Sequence, residues 1–168
     1  IVDLAGYFTG TPVEATEPVP ANAERTPRLL VIGDSALAAL DDVYTEAKAA
    51  LAGIDAVIDA DNCRRLVHPS CRSDVTGRIP NTAAQAIQAA PGEFDIVYID
   101  AGHNDWNDPD FAWQFDVIVQ AARAKGAKVI LWATYTEFSY IGRGAAEAYQ
   151  YNNSITRALT RQPQYADV

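Results

Sequence analysis

The stretch RLLVIGDSALAAL (residues 28–40) decides the fold class of this 168-residue chain. Its continuous apolar run, which ends at Gly33-Asp34, is typical of a strand buried on both faces. The apolar residues that follow recur at intervals of three and four, which predicts a helix over residues 35–52. A buried strand that leads directly into a helix is the repeating unit of an α/β protein.

The same alternation of strand and helix continues along the chain. We predict further strands at residues 54–60, 94–102 and 128–135, and helices at residues 82–90, 110–125 and 145–162. Such alternation forms a parallel sheet with helices on both faces. Ligands of these sheets bind beyond the carboxyl ends of the strands, so the residues that follow each strand are the first candidates for function.

Two regions depart from this pattern. Residues 1–27 contain the proline-rich stretch GTPVEATEPVPANAERTP (10–27), which predicts an extended arm or linker. This arm is either a tail draped on the domain or a tether to something upstream. At the other end, residues 163–168 stand where a fifth strand is expected to begin. We therefore expect the domain, residues 28–168, to be cut before or within its fifth strand.

Charge and composition argue against several functions. The chain has 13 Lys and Arg against 22 Asp and Glu, a net charge of −9. A surface this negative repels phosphate backbones and anionic lipids, so we do not expect a nucleic-acid partner. The apolar runs are far shorter than the roughly 20 residues that span a bilayer, so no transmembrane segment is predicted.

Chemically capable residues follow three of the predicted strands. Ser35 begins a helix, where backbone N–H groups can stabilise an oxyanion, although serine is also a common N-cap at this position. Asn104, in AGHND (101–105), carries an amide that can donate to an oxyanion, although asparagine also favours turns. Gly77 lets its N–H approach a ligand closely, or it is an ordinary loop glycine.

Together these residues resemble the motifs of the SGNH/GDSL hydrolase family. VIGDSALAAL resembles the GDS(L) block, AGHND resembles the Gly-x-Asn-Asp block, and the order of the three residues fits. The resemblance covers about residues 28–168 and implies a flavodoxin-like three-layer α/β/α sandwich. It also implies Ser35 as nucleophile, with the N–H groups of Ser35 and Gly77 and the side chain of Asn104 as the oxyanion hole. The surroundings of Gly77, SDVTGRIP, do not closely reproduce the family block.

The Asp-x-x-His block that supplies the family's base is missing, and the histidines present are His68 and His103. A serine hydroxyl needs a base to become a useful nucleophile near neutral pH. Three explanations compete. The parent chain continues past Val168 and supplies the pair, or the domain is a non-catalytic relative that binds a ligand in the cleft, or His103 acts as base from an unusual position.

Cys63 and Cys71 are separated by seven residues within the polar loop 61–81. They can form a disulfide, remain free thiols or bind a metal, but two Cys with one nearby His make a poor zinc set. Closing this loop stabilises the fold by about 2.5 kcal/mol on the chain-entropy estimate. CRRLVHPSCR also resembles cysteine-bridged loops of secreted bacterial SGNH hydrolases. We predict a disulfide, and hence a secreted or extracytoplasmic protein.

The function predicted from these features is ester hydrolysis. The substrate would be an acetylated carbohydrate, a lipid ester or a small ester, and no metal or organic cofactor is expected. The alternatives are an acyltransferase of the same fold that acts on a sugar hydroxyl, and a ligand-binding relative without a base. We expect the substrate cleft to be lined by His103 and Trp106, and on its other side by Tyr135, Phe138 and Tyr140.

Four arginines of loop 61–81 either meet an acidic substrate group or pair with Asp59, Asp61 and Asp74: Arg64, Arg65, Arg72 and Arg78.

Overall fold

The computed structural model describes residues 26–42, 52–106, 108–134 and 143–168 of the chain. Four parallel strands form one sheet in the order β2-β1-β3-β4, and helices flank it. This confirms the predicted α/β class and is compatible with a flavodoxin-like fold, whose first four strands have this order. The elements are β1 (Arg28–Gly33), α1 (Ser35–Asp42), β2 (Asp55–Ala60), α2 (Ala83–Ala89), β3 (Ile96–Asp100), a 3₁₀ turn (His103–Asp105), α3 (Phe111–Ala124), β4 (Val129–Trp132), α4 (Arg143–Leu159) and a second 3₁₀ turn (Pro163–Tyr165).

The predicted strands and helices are all present, with differences at their ends. β3 ends at Asp100, two residues before the predicted end, because the N–H of Gly102 bonds to the side chain of Asp34 instead of a strand. α2 begins after Thr82, whose hydroxyl accepts the N–H of Gln85 while the Gln85 side chain accepts the N–H of Thr82. This reciprocal pair satisfies two N–H groups that the helix leaves open. Residues 1–25, the predicted helix beyond Asp42, and Tyr135, Phe138 and Tyr140 lie outside the described residues.

One face of the sheet carries the apolar core. Leu30, Ile32, Val97, Ile99 and Ile130 are fully buried there, together with apolar side chains of α2 and α3. Because side chains alternate along a strand, Gly33 faces the opposite side of the sheet from Ile32.

Gly33 lets α1 pack closely on that opposite side. A Cβ atom at this position would lie 2.5 Å from Cβ of Leu37 and 3.1 Å from Cβ of Ala60. Neither atom is the end of a flexible side chain, so a larger residue would push α1 away from the sheet. The glycine therefore fixes where Ser35, the first residue of α1, sits beyond the end of β1.

The loop after β2 is held by a disulfide and a buried cation. Cys63 and Cys71 are joined, as predicted, with their Cα atoms 5.3 Å apart. Arg64 is 2% exposed and donates to the carbonyl and carboxylate of Asp59, at 2.6 and 2.5 Å, and to the carbonyl of Asn81 at 3.1 Å. These bonds attach the polar loop to the end of β2.

The last residues of the chain run beside the edge strand. The N–H of Ile130 in β4 donates to the carbonyl of Asp167 at 2.7 Å. The carboxylate of Asp167 binds Arg123 of α3, and Tyr165 packs its ring edge-on against Phe115 with centroids 5.3 Å apart. Among the described helices, none has the length and apolar character that a membrane span requires.

Candidate active site

Asp34, between β1 and α1, is the N-cap of α1. Its fully buried carboxylate accepts the N–H of Ala36 at 3.0 Å through Oδ1. Its carbonyl accepts the N–H groups of Leu37 and Ala38 at 3.1 and 2.9 Å. A capping carboxylate satisfies N–H groups that the first turn of a helix leaves open and also suits the helix dipole. The cap is thus the aspartate before Ser35, and the exposed Ser35 does not supply it.

The same carboxylate ties the β1 turn to the loop after β3. Its Oδ2 accepts the N–H of Gly102 at 3.2 Å and the N–H of His103 at 3.0 Å, while the N–H of Asp34 donates to the carbonyl of Asp100 at 3.1 Å. β1 and β3 are neighbours in the sheet, with Gly33 opposite Asp100. The turn that carries Ser35 and the loop that carries Asn104 therefore lie side by side at one edge of the sheet.

Asn104 lies in the 3₁₀ turn after β3 and is half-buried. Its Nδ2 donates to the carbonyl of Arg64 at 2.8 Å. This bond joins the loops after β2 and β3 and orients the amide. An amide nitrogen has two N–H bonds, so the geometry leaves a second donor on an atom whose position is already set.

His103 contacts Asp34 and α4. Its Nδ1 lies 3.2 Å from Oδ1 of Asp34, and its side chain is 18% exposed. The ring also meets Tyr149 edge-on, with centroids 5.2 Å apart, and the Tyr149 hydroxyl donates to the His103 carbonyl at 3.3 Å. The structure therefore places His103 against the carboxylate that caps the helix of Ser35.

Gly77 is exposed on loop 61–81 with φ of +68°, which favours glycine. Its N–H donates to the carbonyl of Ser73 at 2.8 Å in a turn of the loop, and its carbonyl accepts from Arg72. An oxyanion bound at this N–H would have to replace the bond to Ser73. The structure thus ties the segments of Ser35 and Asn104 together through Asp34, and it ties the loop of Gly77 to Asn104 through Arg64.

Trp106 follows the 3₁₀ turn of Asn104, and half of its surface is exposed. A small cavity lies at the carboxyl ends of β3 and β4, where Gly102 and Trp132 form part of its wall; neither Trp106 nor His103 is among its lining residues. The buried Asn152 of α4 also lines it, and its Oδ1 has no hydrogen-bond partner among the described residues. The sequence did not single out Asn152. Its only signal is that of a polar residue on the inward face of a helix, and such residues are common.

Asp105 and Arg65 form an ion pair next to Asn104. Asp105 is fully buried and accepts the N–H of Leu66 at 3.0 Å and Nε of Arg65 at 3.2 Å. Burial raises the pKa of the Asp105 carboxyl to about 6, against the lowering effects of the Leu66 N–H and the Arg65 charge. Arg65 also binds Asp108. The prediction that Arg65 pairs with Asp59, Asp61 or Asp74 was wrong for this residue, whereas Arg64 does pair with Asp59.

A second group of side chains has atoms suited to metal binding. Ligand atoms of His68, Asp108 and Asp110 all lie within 4.8 Å of one another, and each residue is half-buried. His68 Nε2 lies 2.9 Å from Asp110, and the amide of Gln114 donates to both carboxylates at 3.0 Å. Arg65 adds its charge at Asp108. Protein hydrogen bonds and a cation thus already account for this arrangement.

Comparison with known proteins gives no family assignment, because no family model and no curated protein matches the chain.

Proposed function

We propose that the chain is a serine ester hydrolase of the SGNH/GDSL type, with Ser35 as nucleophile. The observation that carries the proposal is the cap of α1 by Asp34. A serine at a helix start is most simply explained as the cap, but here the preceding residue has that role. The Ser35 hydroxyl is left exposed at the carboxyl edge of a parallel sheet, where ligands of such folds bind.

The oxyanion donors would come from the same edge. The N–H of Ser35 lies in the first turn of α1, whose N–H groups have no partner within the helix. The second N–H of the Asn104 amide would add a side-chain donor, held by the bond of Nδ2 to Arg64. Donors fixed in advance stabilise the charge that develops on the carbonyl oxygen. The motifs VIGDSALAAL and AGHND support the same assignment.

In the proposed reaction, Ser35 Oγ attacks the ester carbonyl carbon and loses its proton to a base. The negative charge on the carbonyl oxygen is received by the N–H of Ser35 and by Asn104. The tetrahedral intermediate expels the alcohol, and water then releases the acid from the acyl-serine. The substrate class is an ester of a carbohydrate, a lipid or a small alcohol, and the Cys63–Cys71 disulfide supports a secreted protein.

Hydrolysis of p-nitrophenyl acetate tests this function. We expect the whole chain to hydrolyse the ester and Ser35→Ala to reduce the rate to that of the buffer. The matched control is Ser154→Ala, which removes an exposed hydroxyl from α4. Equal rates in the wild type and Ser35→Ala would refute Ser35 as nucleophile.

A further inference from the structure

We propose that the cavity at the carboxyl ends of β3 and β4 binds one neutral O–H group of the size of a water molecule, which donates to Asn152. The inference goes beyond the proposed function and does not depend on it. Asn152 of α4 is 5% exposed and lines the cavity, and its Oδ1 has no hydrogen-bond partner among the described residues. Buried polar atoms are nearly always paired, with protein or with a bound molecule, because an unpaired one destabilises the fold.

The contacts of Asn152 determine which atom of its amide is left for a ligand. Its Nδ2 donates to the carbonyl of Asp105 at 3.3 Å. A carbonyl oxygen only accepts hydrogen bonds, so turning the amide round would set two acceptors against each other. The orientation of the amide is therefore fixed, and Oδ1 is the atom that a bound group must satisfy. Because Oδ1 is an acceptor, that group must be a hydrogen-bond donor.

The rest of the wall favours a donor without charge. Thr156 lines the cavity, and its hydroxyl, which donates to the backbone carbonyl of Asn152 at 3.1 Å, keeps lone pairs that can accept. Phe111 and Ala101 add apolar surface. None of the described residues that line the cavity is charged, so an ammonium group would be buried there without a counter-charge, which is costly. An anion would face the oxygen of Asn152.

The size of the cavity limits what can enter. It has about 10 Å³ of room for the centre of a water-sized molecule, and one water molecule needs about 10–15 Å³ on this measure. Two sources can supply the O–H group, namely water itself and the hydroxyl of a small alcohol. Gly102 forms another part of the wall. The bound group would therefore lie between α4 and the loop that carries Asn104.

NMR cross-relaxation from water to methyl groups tests the site in the whole chain. The Ala101 methyl group is the reporter, since Ala101 lines the cavity, is 2% exposed and has methyl protons that do not exchange with water. Ala86 of α2 is the matched control, since it is 1% exposed and is not a lining residue. We expect a cross-peak at Ala101 with the sign of a long-lived contact, and none at Ala86. A site that gives no cross-peak at Ala101, from water or from added methanol, would overturn the inference.

Two small solvents distinguish the sources of the O–H group in the wild-type chain. A cross-peak from the methyl protons of methanol to Ala101 would identify an alcohol hydroxyl as a ligand. A water cross-peak that methanol leaves unchanged would identify water. Acetonitrile is neutral and has no O–H group, so a cross-peak from acetonitrile to Ala101 would overturn the claim that the site selects a donor.

A pair of variants tests the role of Asn152. Asn152→Leu should abolish the water cross-peak at Ala101, because an apolar side chain of similar size then replaces the acceptor. Gln114→Leu is the control: Gln114 is fully buried and its Oε1 also has no partner among the described residues, but it does not line the cavity. It should keep the cross-peak. A folded Asn152→Leu chain that keeps the cross-peak would overturn the inference, and if this variant does not fold, the solvent experiment on the wild type decides.

Discussion

The carboxylate of Asp34 accepts the N–H of Ala36 at 3.0 Å, so that α1 is capped by the residue before Ser35. Because this buried carboxylate also binds the N–H groups of Gly102 and His103, it joins the ends of β1 and β3. One side chain thereby frees the serine hydroxyl and brings the asparagine loop beside it.

Replacement of Asn104 by alanine should lower kcat for ester hydrolysis by about 10² to 10³, with little change in KM, because an oxyanion donor acts mainly in the transition state. Loss of its bond to Arg64 should cost about 1 kcal/mol of stability. The control is Asn81→Ala, since Asn81 contacts Arg64 through its backbone carbonyl, which alanine keeps. Equal kcat in the two variants would exclude Asn104 from the oxyanion hole.

Replacement of Gly33 by alanine should destabilise the domain by about 1–3 kcal/mol, because the new Cβ would lie 2.5 Å from that of Leu37. It should also slow the reaction of Ser35, since α1 must move. Gly77→Ala is the comparison: it meets no atom within 4 Å and costs about 1–2 kcal/mol through its positive φ alone. Urea unfolding measures the free energy of unfolding of both variants. A Gly33→Ala chain as stable and as reactive as the wild type would show that the close approach of α1 is not required.

Removal of the disulfide, by the double change of Cys63 and Cys71 to alanine, should lower the free energy of unfolding by about 2.5 kcal/mol. Reductant should destabilise the wild type by a similar amount and leave the double variant unchanged. Urea unfolding with and without reductant measures the effect. Two alkylatable thiols in the native, unreduced protein would show that the link does not form in solution.

Asp105 should make a contribution to the free energy of unfolding that falls as pH rises. Its pKa is about 6 in the folded protein, against 3.8 for an ordinary aspartate, so the folded state holds this proton more tightly. The stabilisation is complete below about pH 4 and is lost as pH rises through about 6. Asp105→Asn should remove this contribution. The free energy of unfolding of the variant, relative to that of the wild type, should therefore rise between about pH 4 and pH 6. Urea midpoints at pH 4, 5, 6 and 7 test it, and parallel curves for the two proteins would contradict the assignment.

The strands, the helices and the disulfide could be predicted because their signals are local. The apolar run before Asp34, the three- and four-residue spacing after it and the pair Cys63–Cys71 each lie within a short stretch of chain. The cap at Thr82 is equally local, since its partner Gln85 is three residues away.

Contacts between distant segments were not predicted. Arg65 binds Asp105, forty residues along the chain, because strand order places the loops after β2 and β3 together. The charge of Arg65 by itself gives no reason to prefer Asp105 to the aspartates that lie nearer in the sequence. The double role of Asp34 was missed for the same reason, since its bonds to Gly102 and His103 exist only once β1 and β3 are neighbours.

The most direct test of the central claim is the reaction of the whole chain with a serine-directed fluorophosphonate, followed by peptide mass mapping. If the hydroxyl of Ser35 is an activated nucleophile, one equivalent of phosphonate will be found on the peptide that contains Ser35. Ser35→Ala will then remain unlabelled, while Ser154→Ala is labelled like the wild type. Labelling that persists in Ser35→Ala, or a wild-type chain that does not react, would contradict the account.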